Sequence, residues 1–294
     1  MYDRILFPTD GSDAVTDVFE TALDIATEHG ATVAVLNVAD TARDSVTQIQ
    51  GNVVDALEQE GEERVAELAE KARARGVPVE TDVLQGDPAE TIADYTREYD
   101  IDLVVMPTHG RTGLDRLLLG SVTEAVVNTA AVPVLVVNPD TVGAFEYPPQ
   151  SVLLPTDGSR GSDLALSEAV GVATETAAAL HLFHVVETAN LGFDVRSVLT
   201  DAELAERGET VLDDPVAAAE SAGVESVTSS VALGKPYREI LDYIEEQDID
   251  LVTVGTQGKT DFSRYVLGSV TTKLLRTSPV PVLLVRDADE AASN

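Results

Sequence analysis

The chain has 294 residues, 44% of them hydrophobic, which is enough for two ordinary domains with real cores. It contains no cysteine and only four histidines, none in a zinc-binding spacing, so a disulfide framework, a thiolate metal site and a cysteine nucleophile are excluded. With 19 basic against 52 acidic residues, the net charge of −33 repels nucleic acid and anionic membranes.

In chain order, apolar runs predict strands over about 3–8, 32–38, 77–84, 102–107 and 133–138. Helical patterns fit between them. Val15, Val18, Phe19, Ala22, Leu23 and Ala26 recur at helical spacing after Asp10-Gly11-Ser12, where Ser12 or Asp13 can cap. Val65, Leu68, Ala69 and Ala72 form a second stripe, and Asp87-Pro88 opens a third helix, proline being suited to the first turn. The segment 141–149, rich in proline, interrupts the periodicity and reads as a linker.

Beyond it the chain repeats. ILFPTDGSDAV at 5–15 returns as LLPTDGSRGSD at 153–163, at an offset of 147. QGDPAETIADYTREYDIDLVVM at 85–106 returns as LGKPYREILDYIEEQDIDLVTV at 233–254, at an offset of 148, and GRTGLDRLLLGSVTEAV at 110–126 as GKTDFSRYVLGSVTTKL at 258–274. Ordered blocks repeated in this way mean two copies of one domain, set at 1–140 and 150–288. Strand and helix alternation with continuous apolar strands predicts a parallel five-stranded sheet covered by helices on both faces in each copy. The second copy carries Asp213-Asp214-Pro215 where the first has an uninterrupted helix, which predicts a kink or two shorter helices. The apolar runs are far shorter than a membrane span, and the N-terminus lacks the pattern of a signal peptide, so a soluble, cytoplasmic protein is expected.

Ligands of open parallel sheets sit outside the carboxyl ends of the strands. Gly258-Lys259-Thr260 looks like the end of a P-loop, but Thr253 stands where that motif needs a glycine, so the Walker reading fails. What remains is Gly255-x-x-Gly258 followed by Gly268-Ser269, which can bring backbone N–H groups and a helix N-terminus to an anion. Arg111 and Arg116 in the first copy match Lys259 and Arg264 in the second. The alternative is that the glycines serve tight turns and the cations pair with acidic neighbours. Asp10 and Asp157, at the end of the first strand of each copy, can bind ribose hydroxyls or a divalent cation, or can simply form turns. Ser12 and Ser159 read as helix caps. His109 faces Gln257 in the alignment of the copies and reads as a loop residue; His184 is expected to face a sheet neighbour.

The ILFPTDGS start, the GDPAETI turn, the DLVVM and DLVTVG strands, the LLLGSVTEAVV stretch and the VPVLVV ending together resemble the universal stress protein (UspA) family in tandem. That resemblance implies Rossmann-like sheets of order 3-2-1-4-5, arranged as a pseudo-dimer through the last strands 133–138 and 280–285, with further homodimerisation open. It implies a stress-response protein that binds ATP, ADP or AMP, with Mg²⁺ or Mn²⁺ at Asp10 and Asp157, and that is at most a slow ATPase. The alternative is a nucleotide-free scaffold acting on a protein partner. The implied nucleotide-binding residues are Pro8, Asp10, Val38, Gly110, Arg111, Gly113, Gly120, Ser121, Val122 and Thr123 in copy one. In copy two they are Pro155, Asp157, Val185, Gly255, Gly258, Lys259, Gly268, Ser269, Val270 and Thr271. Copy one departs from the family's loop at Pro107, where copy two has Gly255, so its site is expected to be the weaker. The lysine-poor, evenly acidic surface resembles that of cytosolic proteins of high-salt organisms, and a halophilic archaeal source is expected.

Overall fold

The computed structural model describes residues 1–40, 52–109, 119–188, 200–256 and 267–287. The chain forms two compact units, Tyr2–Pro148 and Pro149–Asp287. The first contains β1 (Arg4–Thr9), α1 (Asp13–His29), β2 (Thr32–Asp40), α2 (Asn52–Ala74), β3 (Val79–Gly86), α3 (Pro88–Glu98), β4 (Leu103–Pro107), α4 (Ser121–Thr129) and β5 (Val134–Val137). The second contains β6 (Ser151–Pro155), α5 (Arg160–Thr176), β7 (Ala179–Glu187), α6 (Asp201–Glu209), α7 (Asp213–Ser221), β8 (Val227–Gly234), α8 (Pro236–Glu246), β9 (Leu251–Gly255), α9 (Ser269–Thr277) and β10 (Val282–Val285).

Within the first unit the strands are parallel in the order β3-β2-β1-β4-β5, and within the second β8-β7-β6-β9-β10. Both are the expected order 3-2-1-4-5. β1, β4 and β5 are mostly apolar and buried almost along their length, whereas the edge strand β3 is half exposed. The stripe from Val15 to Ala26 is buried on α1, and Val65, Leu68, Ala69 and Ala72 are buried on α2. Asp213-Asp214-Pro215 starts α7, so among the described residues the second unit has two short helices where the first has the single α2, as the proline predicts. The segment after β5 adds a 3-10 helix, Pro139–Ala144, and Tyr147 hydroxyl lies 2.6 Å from His29 Nε2, which ties this stretch to α1.

The amino ends of the strands are fixed by one repeated device. Asp102 Oδ2 accepts the amides of Asp3 and Arg4 at 2.8 Å each, and Asp250 Oδ2 accepts those of Gln150 and Ser151 at 2.8 and 2.9 Å. The DID triplet seen twice in the sequence therefore buries Ile101 and Ile249 while its second aspartate aligns strand one beside strand four. With the amino ends held in this way, the opposite ends of the strands are left to open.

Candidate functional site

Each unit has a cavity at the carboxyl ends of its strands, of about 470 Å³ in the first and 690 Å³ in the second, within the range of small-molecule sites. Both are built from the same backbone scaffold. Gly11 and Gly158, with φ of 73° and 68°, make the turn after strand one, a left-handed conformation that favours glycine. The preceding Thr9 and Thr156 are buried, and their hydroxyls accept the amides of Gly11 and Gly158 at 3.1 Å. Asp10 and Asp157 each accept, through Oδ1, the amide two residues on, from Ser12 and Ser159 at 3.0 Å. One oxygen of each aspartate is thus committed to its own turn.

The end of strand two is pinned to the end of strand one. Asn37 Nδ2 donates to the Thr9 carbonyl at 2.7 Å; in the second unit His184 Nδ1 lies 2.7 Å from the Thr156 carbonyl. A carbonyl only accepts, so His184 carries its proton on Nδ1, and it faces a sheet neighbour as expected. Gly61 and Gly208, each inside a helix, allow this close approach. A Cβ on Gly61 would stand 2.6 Å from Asn37 Oδ1, and one on Gly208 2.6 Å from Val231 Cγ1 and 3.2 Å from His184 Cδ2.

Strand four and the helix after it are joined the same way twice. Gly120 N–H donates to the Thr108 carbonyl at 2.7 Å and Gly268 N–H to the Thr256 carbonyl at 2.9 Å, so these two amides close the base of the loop and are not offered to a ligand. Thr123 and Thr271 donate their hydroxyls to the carbonyls of Pro107 and Gly255 at 2.9 and 3.0 Å. Glu124 and Thr272 give the first helical amides to Gly120 and Gly268, which leaves residues 121–123 and 269–271 at the positive ends of α4 and α9.

Pro8, Asp10, Val38, Gly120, Ser121, Val122 and Thr123 all line the first cavity. Pro155, Asp157, Val185, Gly255, Gly268, Ser269, Val270 and Thr271 all line the second. Gly110, Arg111, Gly113, Gly258 and Lys259 lie outside the described residues. Among the described residues no group of three His, Cys, Asp or Glu is placed to hold a metal.

Gly255 is a glycine for a packing reason that the sequence around it does not show. Its φ is not in the left-handed region, and a Cβ there would meet the Gly161 carbonyl oxygen at 2.4 Å. Glycine is required because the backbone of α5 passes against it. Pro107 is tolerated because Val104 and Thr108 send their amides to β5, so the amide of residue 107 points the other way, where the recorded β1–β4 pairing has ended at Leu6 and Val104. Ser12 departs from expectation. It occupies the N-cap position but its Oγ is buried without a partner, because the Val15 amide goes to the Ser12 carbonyl at 3.1 Å. Ser159 does cap, accepting the Ser162 amide at 3.3 Å. Ser162 stands where the first unit has Val15, and its hydroxyl joins Thr156, Ser159 and Asp157 in one network.

Sequence reasoning missed much of the lining. In the second cavity Lys235, Tyr237 and Lys273 contribute, and in the first Glu60 and Arg64, whereas Asp40 and Glu187 line the cavities as ends of strand two, where the sequence puts them. Arg64 pairs with Glu60, and its side chain lies where a Cβ on Gly11 would be, 2.4 Å from Arg64 Cδ. Among the described residues no helix is long and apolar enough to cross a membrane.

A model of the universal stress protein family matches residues 1–138 and again 149–286. A universal stress protein of Methanocaldococcus jannaschii is 38% identical over 140 residues, covering 47% of this chain and 82% of that protein. One of Mycobacterium tuberculosis is 30% identical over 246 residues, covering 79% of this chain and 78% of its own length. Among solved structures, a universal stress protein of Archaeoglobus fulgidus aligns over 97% of this chain and 98% of its own, at a TM-score of 0.74 and 27% identity.

Proposed function

Since this chain belongs to the universal stress protein family and carries the family's domain twice, we propose that it is a cytoplasmic stress-response regulator. In this reading the strand-end cavities hold adenine nucleotide, and occupancy sets a state read by a protein partner. The observation that carries this reading is the convergence, in each unit, of a strand-one aspartate, the end of strand two and a helix N-terminus on one cavity. The amides at the start of α4 and α9 and the helix dipole favour a phosphate. The backbone of Val38 or Val185 would meet the base, and Asp10 or Asp157 the ribose. Apolar walls such as Ile92 and Met106 in the first cavity, and Ile240 and Val254 in the second, suit a flat aromatic ring.

A divalent cation would rest mainly on the phosphates. Each cavity offers one strand-one aspartate with one oxygen already bonded to its own turn, which is a poor cage by itself. Among the described residues the side chains at the strand ends are not shared as a water-activating set, since Asn37 replaces His184 and Val15 replaces Ser162, and Asp10 and Asp157 each bond their own turn, so a switch fits better than a dedicated ATPase.

Calorimetric titration with ATP and Mg²⁺ at molar salt tests this. We expect saturable binding in the parent protein and one site fewer per chain in Gly258→Val, with unfolding midpoints unchanged. Absence of binding by ATP, ADP and AMP would replace the switch with a nucleotide-free scaffold. For the first unit one observation favours the scaffold reading: the cation lining its cavity, Arg64, is already paired with Glu60.

A further inference from the structure

The second cavity is lined by two lysines, where the first has Arg64 paired with Glu60. Lys235 in the turn before α8 and Lys273 on α9 both line it, and Lys273 Nζ lies 4.4 Å from the centre of the Tyr237 ring. Arg238 donates to the Tyr237 hydroxyl at 3.0 Å. Tyr237 is thereby held between two cations, and its phenol is drawn below its usual pKa, first by the Arg238 hydrogen bond. At the corresponding positions the first unit has Asp87, Ala89, Glu90 and Ala125. Where one copy places two carboxylates, the other places three cations.

The chain as a whole makes this pattern informative. It has only four lysines among 294 residues and an acidic excess of 33 charges. Lys71, far from either cavity, is paired with Glu67 at 3.8 Å. Lys235 and Lys273 form no ion pair with any described residue, although Glu187 lines the same cavity and pairs in register with Gly234, next to Lys235. Two lysines facing one cavity with no ion pair among the described residues, in so acidic a chain, are placed for an anion that comes from outside.

Their position separates them from the phosphate end. Lys273 lies four residues beyond Ser269, about 6 Å along the axis of α9, and faces α8 rather than the helix N-terminus. We propose that Lys235 and Lys273, the latter braced by Tyr237, form a second anion subsite, which makes the second cavity selective for an adenine nucleotide bearing another anionic group apart from its 5′-phosphate chain, the class of nucleoside bisphosphates. This rests on the nucleotide reading given above.

The probes are AMP and adenosine 3′,5′-bisphosphate, titrated into the full chain at two salt concentrations. The parent should bind the bisphosphate about 5- to 10-fold more tightly than AMP at the lower salt, the size expected of one or two partly exposed charge pairs. In the Lys235→Gln, Lys273→Gln double variant the preference should fall below about 2-fold with AMP affinity little changed, while Lys273→Arg keeps most of it. Equal affinity of the parent for the two ligands, or a preference that survives the double variant, overturns the second subsite and leaves the nucleotide reading standing. Failure of both ligands and of ATP to bind overturns both.

Discussion

The two units share most of the bonds that shape their strand ends and differ in what they hang on them. Thr9 and Thr156, Asp10 and Asp157, Gly120 and Gly268, and Thr123 and Thr271 make the same contacts at nearly the same distances. The rims do not match: Arg64 and Glu60 on one side, Lys235 and Lys273 on the other. The comparison teaches that the strand-end turns are the architecture of the cavity, while its selectivity lies in residues on α2 and on the β8–α8 and α9 wall.

The largest test of that contrast is at the end of strand four. Gly255→Ala puts a Cβ against the backbone of Gly161, which cannot move without α5, so we expect a loss of about 1–3 kcal/mol in the second unit, read by urea unfolding. Pro107→Gly in the first unit should cost less than about 1 kcal/mol, through the greater freedom of the unfolded chain. Equal costs would mean that the two strand ends are packed alike and that the Gly161 contact is not what demands glycine.

Helix ends offer the next test. The helix after strand one ends on Gly30 in the first unit, at φ 65°, but on Ala177 in the second, at φ 57°. Ala177→Gly should therefore stabilise by about 1 kcal/mol, and Gly30→Ala should destabilise by a similar amount, since space exists for its Cβ and only the backbone conformation resists. Opposite signs in thermal unfolding are the expected signature. At the start of the same helices, Ser159→Ala should cost about 1 kcal/mol and Ser12→Ala close to nothing, because only Ser159 has a bond to lose. A matching loss at Ser12 would show that its hydroxyl finds the helix after all.

The smallest difference is in acid. Burial pushes the His181 imidazole below its usual pKa, with Tyr243 hydroxyl 3.0 Å from Nδ1. The folded state then binds the proton less well than the unfolded chain, so the contribution is present above about pH 6.5 and is lost as pH falls below it. The first unit has Ala34 at this position. Unfolding of the second unit should move to lower temperature between about pH 7 and 5, and His181→Gln should flatten that slope. A slope unchanged in the variant would assign the effect to other groups.

How much of this was legible in the sequence follows from which atoms do the work. Apolar periodicity and the repeated DID, TDGS and GSVT blocks locate strands, helices and strand ends, because burial and turn chemistry act through residue type. The two short helices of the second unit were readable from Asp213-Asp214-Pro215 for the same reason. The packing reason for Gly255 is not legible in the sequence around it, since a glycine that serves phosphate and one that serves a passing backbone look alike in one dimension. The signal that separates them was present in Gly161, an unusual residue for a first helical turn, as it was in Gly61 and Gly208, helix-interior glycines at the common offset. Lys235, Tyr237 and Lys273 were not seen as a group because they come from two elements some 36 residues apart, and only the packing of α8 beside α9 brings them together.

The threonine on the helix after strand four grips a carbonyl, and every amino acid has one. Whatever residue ends that strand, glycine or proline, presents the same oxygen to Thr123 or Thr271. The anchor of the loop is thereby indifferent to the side chain at this position, so the first copy can carry proline there while the second, for its packing against Gly161, keeps glycine.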